Sequence, residues 1–187
     1  GSFTDIGNYA GVSATDWSWG ALMFDMDNDG WNDIYVCNGV NHDVTDLDFM
    51  NFFANDVVQQ MVMKGQKEEV NNVIDKMPST PIANKLFHNT GNLKFEDAGE
   101  KWGLSQTTFS NGAAYADLDN DGDLDMIINN VNQPALVYKN NSREQNHHNY
   151  IAVSLAYKTP NPFAVGATVK VYQGNQVFTR ELMPSRG

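Results

Sequence analysis

The sequence predicts an all-β fold of β-propeller-type blades: two repeats of a larger propeller, a helical-hairpin insertion and the start of a small β domain at the C-terminus. Three observations support this prediction. One acidic loop occurs twice, short apolar runs typical of strands flank each copy, and the residues around the loops repeat at a constant offset. Small sheets that repeat about every 50 residues are typical of propellers, because one such sheet cannot bury both of its faces alone.

The acidic loop has the pattern D-x-D-x-D-G-x-x-D and spans residues 25–33 (the first loop) and 117–125 (the second loop). When such a backbone curls around a cation, carboxylates at positions 1, 3 and 5 point inward. The glycine takes the sharp turn, position 7 offers its carbonyl, and a last acid closes the shell. Oxygen ligands without Cys or His favour Ca²⁺ over transition metals and over Mg²⁺. The loops therefore predict two calcium sites, and a solvated Asp/Asn/Gly turn is the alternative.

The loops belong to a longer repeat in which 92 residues separate Asp25 from Asp117. Beyond the loops the two copies differ in length, since 54 residues separate Asp33 from Phe87 but only 13 separate Asp125 from the matching Tyr138. The first copy therefore carries about 41 extra residues on an underlying period of 51. The offset of 92 relates five further identical pairs: Phe3 and Phe95, Asp5 and Asp97, Gly11 and Gly103, Gly20 and Gly112, and Ala21 and Ala113.

Each repeat is predicted to form short strands on either side of its loop. A bound ion would then fix the connection between two adjacent strands. The aligned segments after the loops are Leu86-Phe87-His88-Asn89 and Val137-Tyr138-Lys139-Asn140. The predicted strands are residues 21–24, 34–38, 85–88 and 93–95 in the first copy, and 113–116, 126–129 and 135–139 in the second.

The extra residues, at about 44–80, predict a helical hairpin. A first helix over residues 47–63 is capped by Thr45 or Asp46, and Pro78 and Pro81 end a second helix. Packing of its apolar stripe against the blades is the favoured role, with a partner-binding flap as the alternative because Met-rich surfaces adapt to varied ligands. The apolar positions are Phe49, Met50, Phe53, Val57 and Met61 in the first helix, and Val70, Val73, Ile74 and Met77 in the second.

The last part of the chain predicts a separate β-rich unit. Residues 150–157 alternate in polarity, and residues 165–172 and 177–182 form two further β-rich runs joined by a Gly174-Asn175 hairpin turn. The Asn-rich segment 140–149, with its adjacent histidines, is predicted to be an exposed linker. The predicted domains are residues 1–148 and residues 149–187.

The composition bounds the partners of the chain. Its formal net charge of −11 argues against nucleic acid and anionic membrane surfaces, because either would need basic patches. No run of 18 apolar residues is present, so no transmembrane segment is predicted. Cys37 lies in a predicted strand, where a small buried side chain is expected rather than a nucleophile.

Residues 20–33 and 112–125 resemble the FG-GAP/VCBS repeat family, the calcium-loop propeller repeats also seen in integrin α subunits. In this family the side chains at loop positions 1, 3, 5 and 9 and the carbonyl at position 7 bind Ca²⁺. The resemblance therefore implies two Ca²⁺ sites with these ligand residues: Asp25, Asp27, Asp29, Trp31 and Asp33 in the first loop, and Asp117, Asp119, Asp121, Asp123 and Asp125 in the second.

Residues 166–187 resemble the start of an ASPIC/UnbV domain, which follows such repeats in the cartilage acidic protein group and in many secreted bacterial proteins. Two repeats cannot close a ring, so we expect the rest of a longer parent chain to complete the propeller. Calcium loops of modest affinity work where calcium is about millimolar, which favours a secreted, periplasmic or cell-surface location.

The resemblance implies a non-catalytic extracellular calcium-binding module that presents a surface to a protein or glycan. One alternative is part of a secreted polysaccharide-active enzyme, in which Trp17, Trp19 and Trp102 line a sugar cleft beside a carboxylate pair. Against it, the obvious acids already serve as ion ligands, and tryptophans at repeat boundaries more commonly pack in a core. The other alternative is a purely structural spacer, in which calcium serves rigidity alone.

Overall fold

The computed structural model describes residues 1–43, 45–53, 59, 62–63 and 77–185 and confirms an all-β fold class with several antiparallel sheets. Among these residues, the helices with defined bounds are α1 (Gly7–Ala10), α2 (Leu47–Phe52) and α3 (Ser142–Asn146). The strands are β1 (Ser18–Phe24), β2 (Asp33–Asn38), β3 (Ile82–Ala83), β4 (Lys85–Gly91), β5 (Lys94–Asp97), β6 (Thr107–Thr108), β7 (Ser110–Ala116), β8 (Asp125–Asn130), β9 (Leu136–Tyr138), β10 (Thr168–Gln173) and β11 (Gln176–Glu181).

Two antiparallel sheets correspond to the two predicted repeats. The first has the strand order β1-β2-β4-β5 and the second the order β7-β8-β9. Each acidic loop joins the first two strands of its sheet, and the pairs that close the loops, Phe24 with Asp33 and Ala116 with Asp125, are related by the offset of 92 residues. The predicted strands therefore form, and the offset relates equivalent positions in space.

The hydrophobic core lies between the two sheets. Leu22, Tyr35 and Leu86 from the first sheet pack with Met126 and Ile128 from the second, and all five are at most 9% exposed. Burial of apolar surface contributes about 25 cal/mol per Å², so the packing of one sheet against the other stabilises both. Cys37 is fully buried in the same core, as predicted.

The first strands of the two sheets, β1 and β7, approach closely at a pair of glycines. A Cβ atom placed on Gly20 would lie only 3.4 Å from the Cα atom of Gly112. Farther along the same strands, the rings of Phe24 and Tyr115 stack with their centroids 4.2 Å apart. The repeated Gly-Ala pair of the sequence is thus explained by a backbone approach that leaves little room for a side chain.

A buried polar network joins the sheets at the end opposite the acidic loops, and sequence analysis did not predict it. The side chain of Asn84 accepts from the backbone N–H of Asn38 at 2.8 Å and donates to the Ser110 hydroxyl at 2.8 Å. Ser110 in turn donates to Asn130 at 2.8 Å. These groups are buried but satisfied, so the network fixes the register of the two sheets instead of destabilising them.

The structure describes only the edges of the insertion. Helix α2 begins where the predicted helix does, and the Asp46 side chain caps it by accepting from the N–H of Phe49 at 2.7 Å. Phe49 is buried against Phe53 and Met77. Residues 57, 61, 70, 73 and 74 of the predicted apolar stripe lie outside the described residues.

Two predictions for the region after residue 140 are wrong. Residues 150–157 form no strand within the described part of the chain, because alternation creates a strand only where a neighbouring strand offers an edge to pair with. Segment 140–149 is not a simple linker, since it contains α3 and bonds to both acidic loops. The last hairpin is confirmed, with Gln173 paired to Gln176 across a two-residue turn.

The chain as described contains no helix long and apolar enough to cross a membrane.

Candidate metal centres

The two acidic loops adopt the same backbone conformation. At loop position 4, Asn28 and Asn120 have φ angles of 59° and 62°, and at position 6, Gly30 and Gly122 have φ angles of 96° and 97°. Left-handed φ angles strain residues with a Cβ atom, least of all asparagine, whereas glycine adopts them freely. The glycine predicted to take the sharp turn does so in both copies.

The closing acid of each loop is held by two backbone N–H groups. Asp33 is fully buried and accepts from Met26 at 3.0 Å and from Asn89 at 2.8 Å. Asp125 accepts from the matching residues, Leu118 at 2.9 Å and Asn140 at 2.8 Å. Each carboxylate therefore ties position 2 of its loop to the end of the third strand of its sheet. Because a carboxylate has about four lone-pair sites, both acids retain capacity for a cation.

In the first loop, one carboxylate oxygen each of Asp25, Asp27 and Asp29 lies within 4.8 Å of the others. Burial, reinforced by the negative charge of Asp29, raises the pKa of Asp25 to about 6. Burial also raises the pKa values of Asp27 and Asp33 above the usual range. Crowding ionised carboxylates in this way costs free energy, and a divalent cation among them would remove that cost.

In the second loop the convergent set consists of positions 1, 3 and 9 instead of 1, 3 and 5, since Asp117, Asp119 and Asp125 each have one oxygen within 4.8 Å of the others. The Oδ1 atom of Asp117 is buried and has no hydrogen-bond partner among the described residues. A buried carboxylate oxygen without a donor is costly, and a hard cation is the partner that an all-oxygen site suits. The residues present therefore fit calcium.

The position 7 side chains do not share a role. The Trp31 side chain is 57% exposed, whereas Asp123 is fully buried and accepts from the backbone N–H of Arg143 at 3.0 Å. This difference agrees with a ligand role for the position 7 carbonyl, which does not depend on the side chain.

Basic side chains face both loops, and sequence analysis missed them. His88 Nδ1 lies 3.1 Å from Asp33 Oδ1, and Lys139 Nζ contacts Asp119 and lies 3.1 Å from Asp121. His88 and Lys139 occupy the same position of the repeat, so the alignment of the two copies already contained this information. Arg180, from the C-terminal hairpin, adds a contact of 3.3 Å to Asp25, which only the tertiary structure reveals.

The two loops also contact each other. Asn28 of the first loop donates to the carbonyl of Gly122 at 3.3 Å. Asn140 uses its side-chain amide to donate to Met26 O at 2.6 Å and to Leu124 O at 3.2 Å, so it bonds to both loops. His148, assigned to the predicted linker, lies 2.8 Å from the carbonyl of Asp27. The loops thus form one continuous acidic edge of the two-sheet unit.

A cleft of about 590 Å³ opens beside this edge, between the two repeats. Trp102 lines it and is in ring contact with His88 at 5.1 Å, which places one of the three singled-out tryptophans in a cleft. Core packing was expected for Trp19, but its side chain is exposed. The residue is 53% exposed, and its indole N–H donates to the carbonyl of Gly39 at 2.6 Å. Trp17 is half-buried.

Comparison with protein families identifies part of the chain. Residues 77–128 match the FG-GAP-like repeat model. These residues are an FG-GAP-like repeat. The match begins at the end of the insertion, includes the whole second loop and ends in β8, so the second loop belongs to the FG-GAP-like repeat. No curated protein matches the chain.

The first loop lies outside the matched residues, and its relation to the FG-GAP-like repeat rests on the internal offset of 92 residues and on its backbone. In both loops the residues at positions 4 and 6 have left-handed φ angles. The resemblance of the tail to an ASPIC/UnbV domain stays a prediction.

Proposed function

We propose that this chain is a non-catalytic extracellular calcium-binding repeat module whose two loops each hold one Ca²⁺. The observation that carries the proposal is the second loop of the FG-GAP-like repeat, where three carboxylates converge and Asp117 Oδ1 is buried with no donor among the described residues. The first loop supports it through the same backbone conformation and the same binding of its closing acid.

Calcium would supply positive charge at the centre of each loop, and the residues of the loop would supply the oxygen ligands. In each copy the ligands are the carboxylates at positions 1, 3, 5 and 9 and the carbonyl of Trp31 or Asp123. The hydrogen bonds from Asn89 and Asn140 orient the closing acids. The bound ions would fix the turns between the first two strands of each sheet and thereby rigidify the edge beside the cleft.

The cleft is the surface that the module presents to a protein or glycan. Lys101, Asn141, Gln145 and Asn146 line it, and their side chains make no hydrogen bond or ion pair in the described parts of the chain. Free amide and ammonium donors beside an aromatic ring suit hydroxyl-rich or carboxylate ligands. We assign the module to a secreted, periplasmic or cell-surface protein, in which further repeats of the parent chain complete a propeller.

Thermal denaturation with and without calcium tests this function. At a calcium concentration ten times the Kd, each site adds about 1.4 kcal/mol to the free energy of unfolding, and each kcal/mol raises the Tm by roughly 2–4 °C. Asp117→Asn should reduce the calcium-dependent rise, whereas Asp48→Asn, at an exposed acid on α2, should preserve it. A Tm that is equal in EDTA and in millimolar calcium would refute the proposal.

A further inference from the structure

A second group of carboxylates lies beside the second loop. Glu144 on helix α3 approaches Asp121 and Asp123, and one oxygen of each lies within 4.8 Å of the others. This group differs from the convergent set formed by Asp117, Asp119 and Asp125. It has no counterpart in the first loop, where position 7 is Trp31 and no helix equivalent to α3 follows the sheet in the described residues.

One carboxylate of this group has an oxygen that the protein leaves unused. Asp123 is fully buried, and its Oδ2 atom accepts from the N–H of Arg143 at 3.0 Å and from the Ser142 hydroxyl at 3.4 Å. Its Oδ1 atom is also buried and accepts from no N–H or O–H group within the described ranges, while the Asp123 carboxyl lies against the like-charged carboxyl of Asp121. Desolvating a carboxylate oxygen without a partner is costly, so the geometry calls for a positive charge beside Asp123.

The charges around the second loop support a second cation. Two basic groups, Lys139 and Arg143, contact the loop, through Asp119 and Asp121 and through the backbone carbonyl of Asp121 respectively. Six carboxylates and these two basic groups together carry four net negative charges. One divalent ion in the loop would neutralise two of these charges. A second divalent ion would neutralise the remainder. The six carboxylates are those of Asp117, Asp119, Asp121, Asp123, Asp125 and Glu144.

We propose that Asp121, Asp123 and Glu144 form a third divalent-cation site. It goes beyond the function proposed above, which gives each loop one ion. Carboxylate ligands select a hard cation such as Ca²⁺, and the exposed position of Glu144 leaves one side of the site open for water ligands. Asp121 is also position 5 of the second loop, so the third site would share one ligand residue with the loop.

Counting bound calcium in the intact chain tests the third site. After removal of metal by chelation, native mass spectrometry and isothermal titration calorimetry with Ca²⁺ should both give three ions per chain. Glu144→Gln removes an exposed ligand outside the sheets and should give two ions, and so should Asp123→Asn, which keeps an oxygen for the N–H of Arg143. Glu100→Gln, at an exposed acid that belongs to neither loop nor to the third site, should retain three.

The count separates this inference from the function on which it partly rests. A wild-type count of two that Glu144→Gln leaves at two overturns the third site while both loops remain calcium sites. A count of one that Glu144→Gln abolishes supports the third site and overturns the loops, and a count of zero overturns both.

Discussion

At the scale of single residues, the loops are defined as much by backbone conformation as by charge. The spacing of the aspartates singled out the acids of both loops, because alternate positions of a curled loop face the same side, but it did not show which of them converge: positions 1, 3 and 5 in the first loop and positions 1, 3 and 9 in the second. The same spacing could not show that Asp123 turns away to the N-terminus of α3, since the helix lies about 20 residues farther along the chain.

Replacement of Gly122 by alanine should destabilise the protein and weaken calcium binding by the second loop. Alanine at this position would have to adopt a left-handed φ angle, which costs about 1–2 kcal/mol. Its Cβ atom would also overlap the ring of Tyr150. Gly91→Ala is the matched control: its φ angle is 83°, but no described atom lies within 4 Å of the added Cβ. Urea denaturation in EDTA compares the free energies of unfolding.

The larger loss should belong to Gly122→Ala, and combining it with Tyr150→Ala should be non-additive because both changes act on one contact. Equal losses for Gly91→Ala and Gly122→Ala would show that the Tyr150 ring does not constrain the loop.

At the scale of elements, the strands were predictable and the segments between repeats were not. Strand pairs follow from local alternation and from a repeat that specifies neighbours, as β1-β2 and β7-β8 show. Helix α3 has only five residues, too few for a helical period to be visible, and depends on tertiary bonds to Asp123. Residues 150–157 have the pattern of a strand but contribute the ring of Tyr150 to Gly122 instead.

The segment after β9 should couple the two loops through Asn140. Asn140→Ala removes side-chain hydrogen bonds to Met26 and Leu124, so the calcium affinity of both loops should fall. Asn89→Ala is the equivalent change in the first repeat, and the Asn89 side chain donates to Asn32 of its own loop alone. It should weaken the first loop only. Both variants keep the backbone N–H that holds the closing acid.

Titration calorimetry of the two variants, each compared with the wild type, resolves the sites. An effect of Asn140→Ala confined to the second loop would contradict coupling through this side chain.

At the scale of the whole molecule, the acidic edge makes stability depend on both pH and calcium. The net charge of −11 was readable from composition, but the fold was needed to show that the two acidic loops lie side by side on one edge. A repeat that needs a neighbour was likewise predictable from the sequence, whereas the buried Asn and Ser network that joins the sheets was not. Its members are far apart in the chain and follow no periodic pattern.

Without calcium, the protein should lose stability as the pH rises from about 4 to about 7. The pKa values of Asp25, Asp27, Asp33 and Asp123 are raised, so the folded state retains protons that the unfolded chain has released. The associated stability is present below the unfolded pKa of 3.8 and is lost as the pH passes the folded values, about 6 for Asp25. Lys85 lowers the pKa of Asp97, which acts in the opposite direction but only below 3.8.

Thermal denaturation in EDTA across this pH range measures the effect. Saturating calcium should reverse the trend, because the ligands must be ionised to bind it. A Tm that climbs with pH in EDTA would contradict the prediction.

The glycine contact between the sheets has a consequence for how more copies of the unit could be added. A Cβ atom added to Gly20 would face the backbone of Gly112, whereas a Cβ atom added to Gly112 would have no described atom within 4 Å. If a third repeat were related to the second as the second is to the first, the equivalent glycine of one repeat would again face that of the next, at the uncovered backbone of Gly112. The absence of a side chain at these glycines would thus set the distance and angle between neighbouring sheets. An alanine at any such contact would push the two sheets apart.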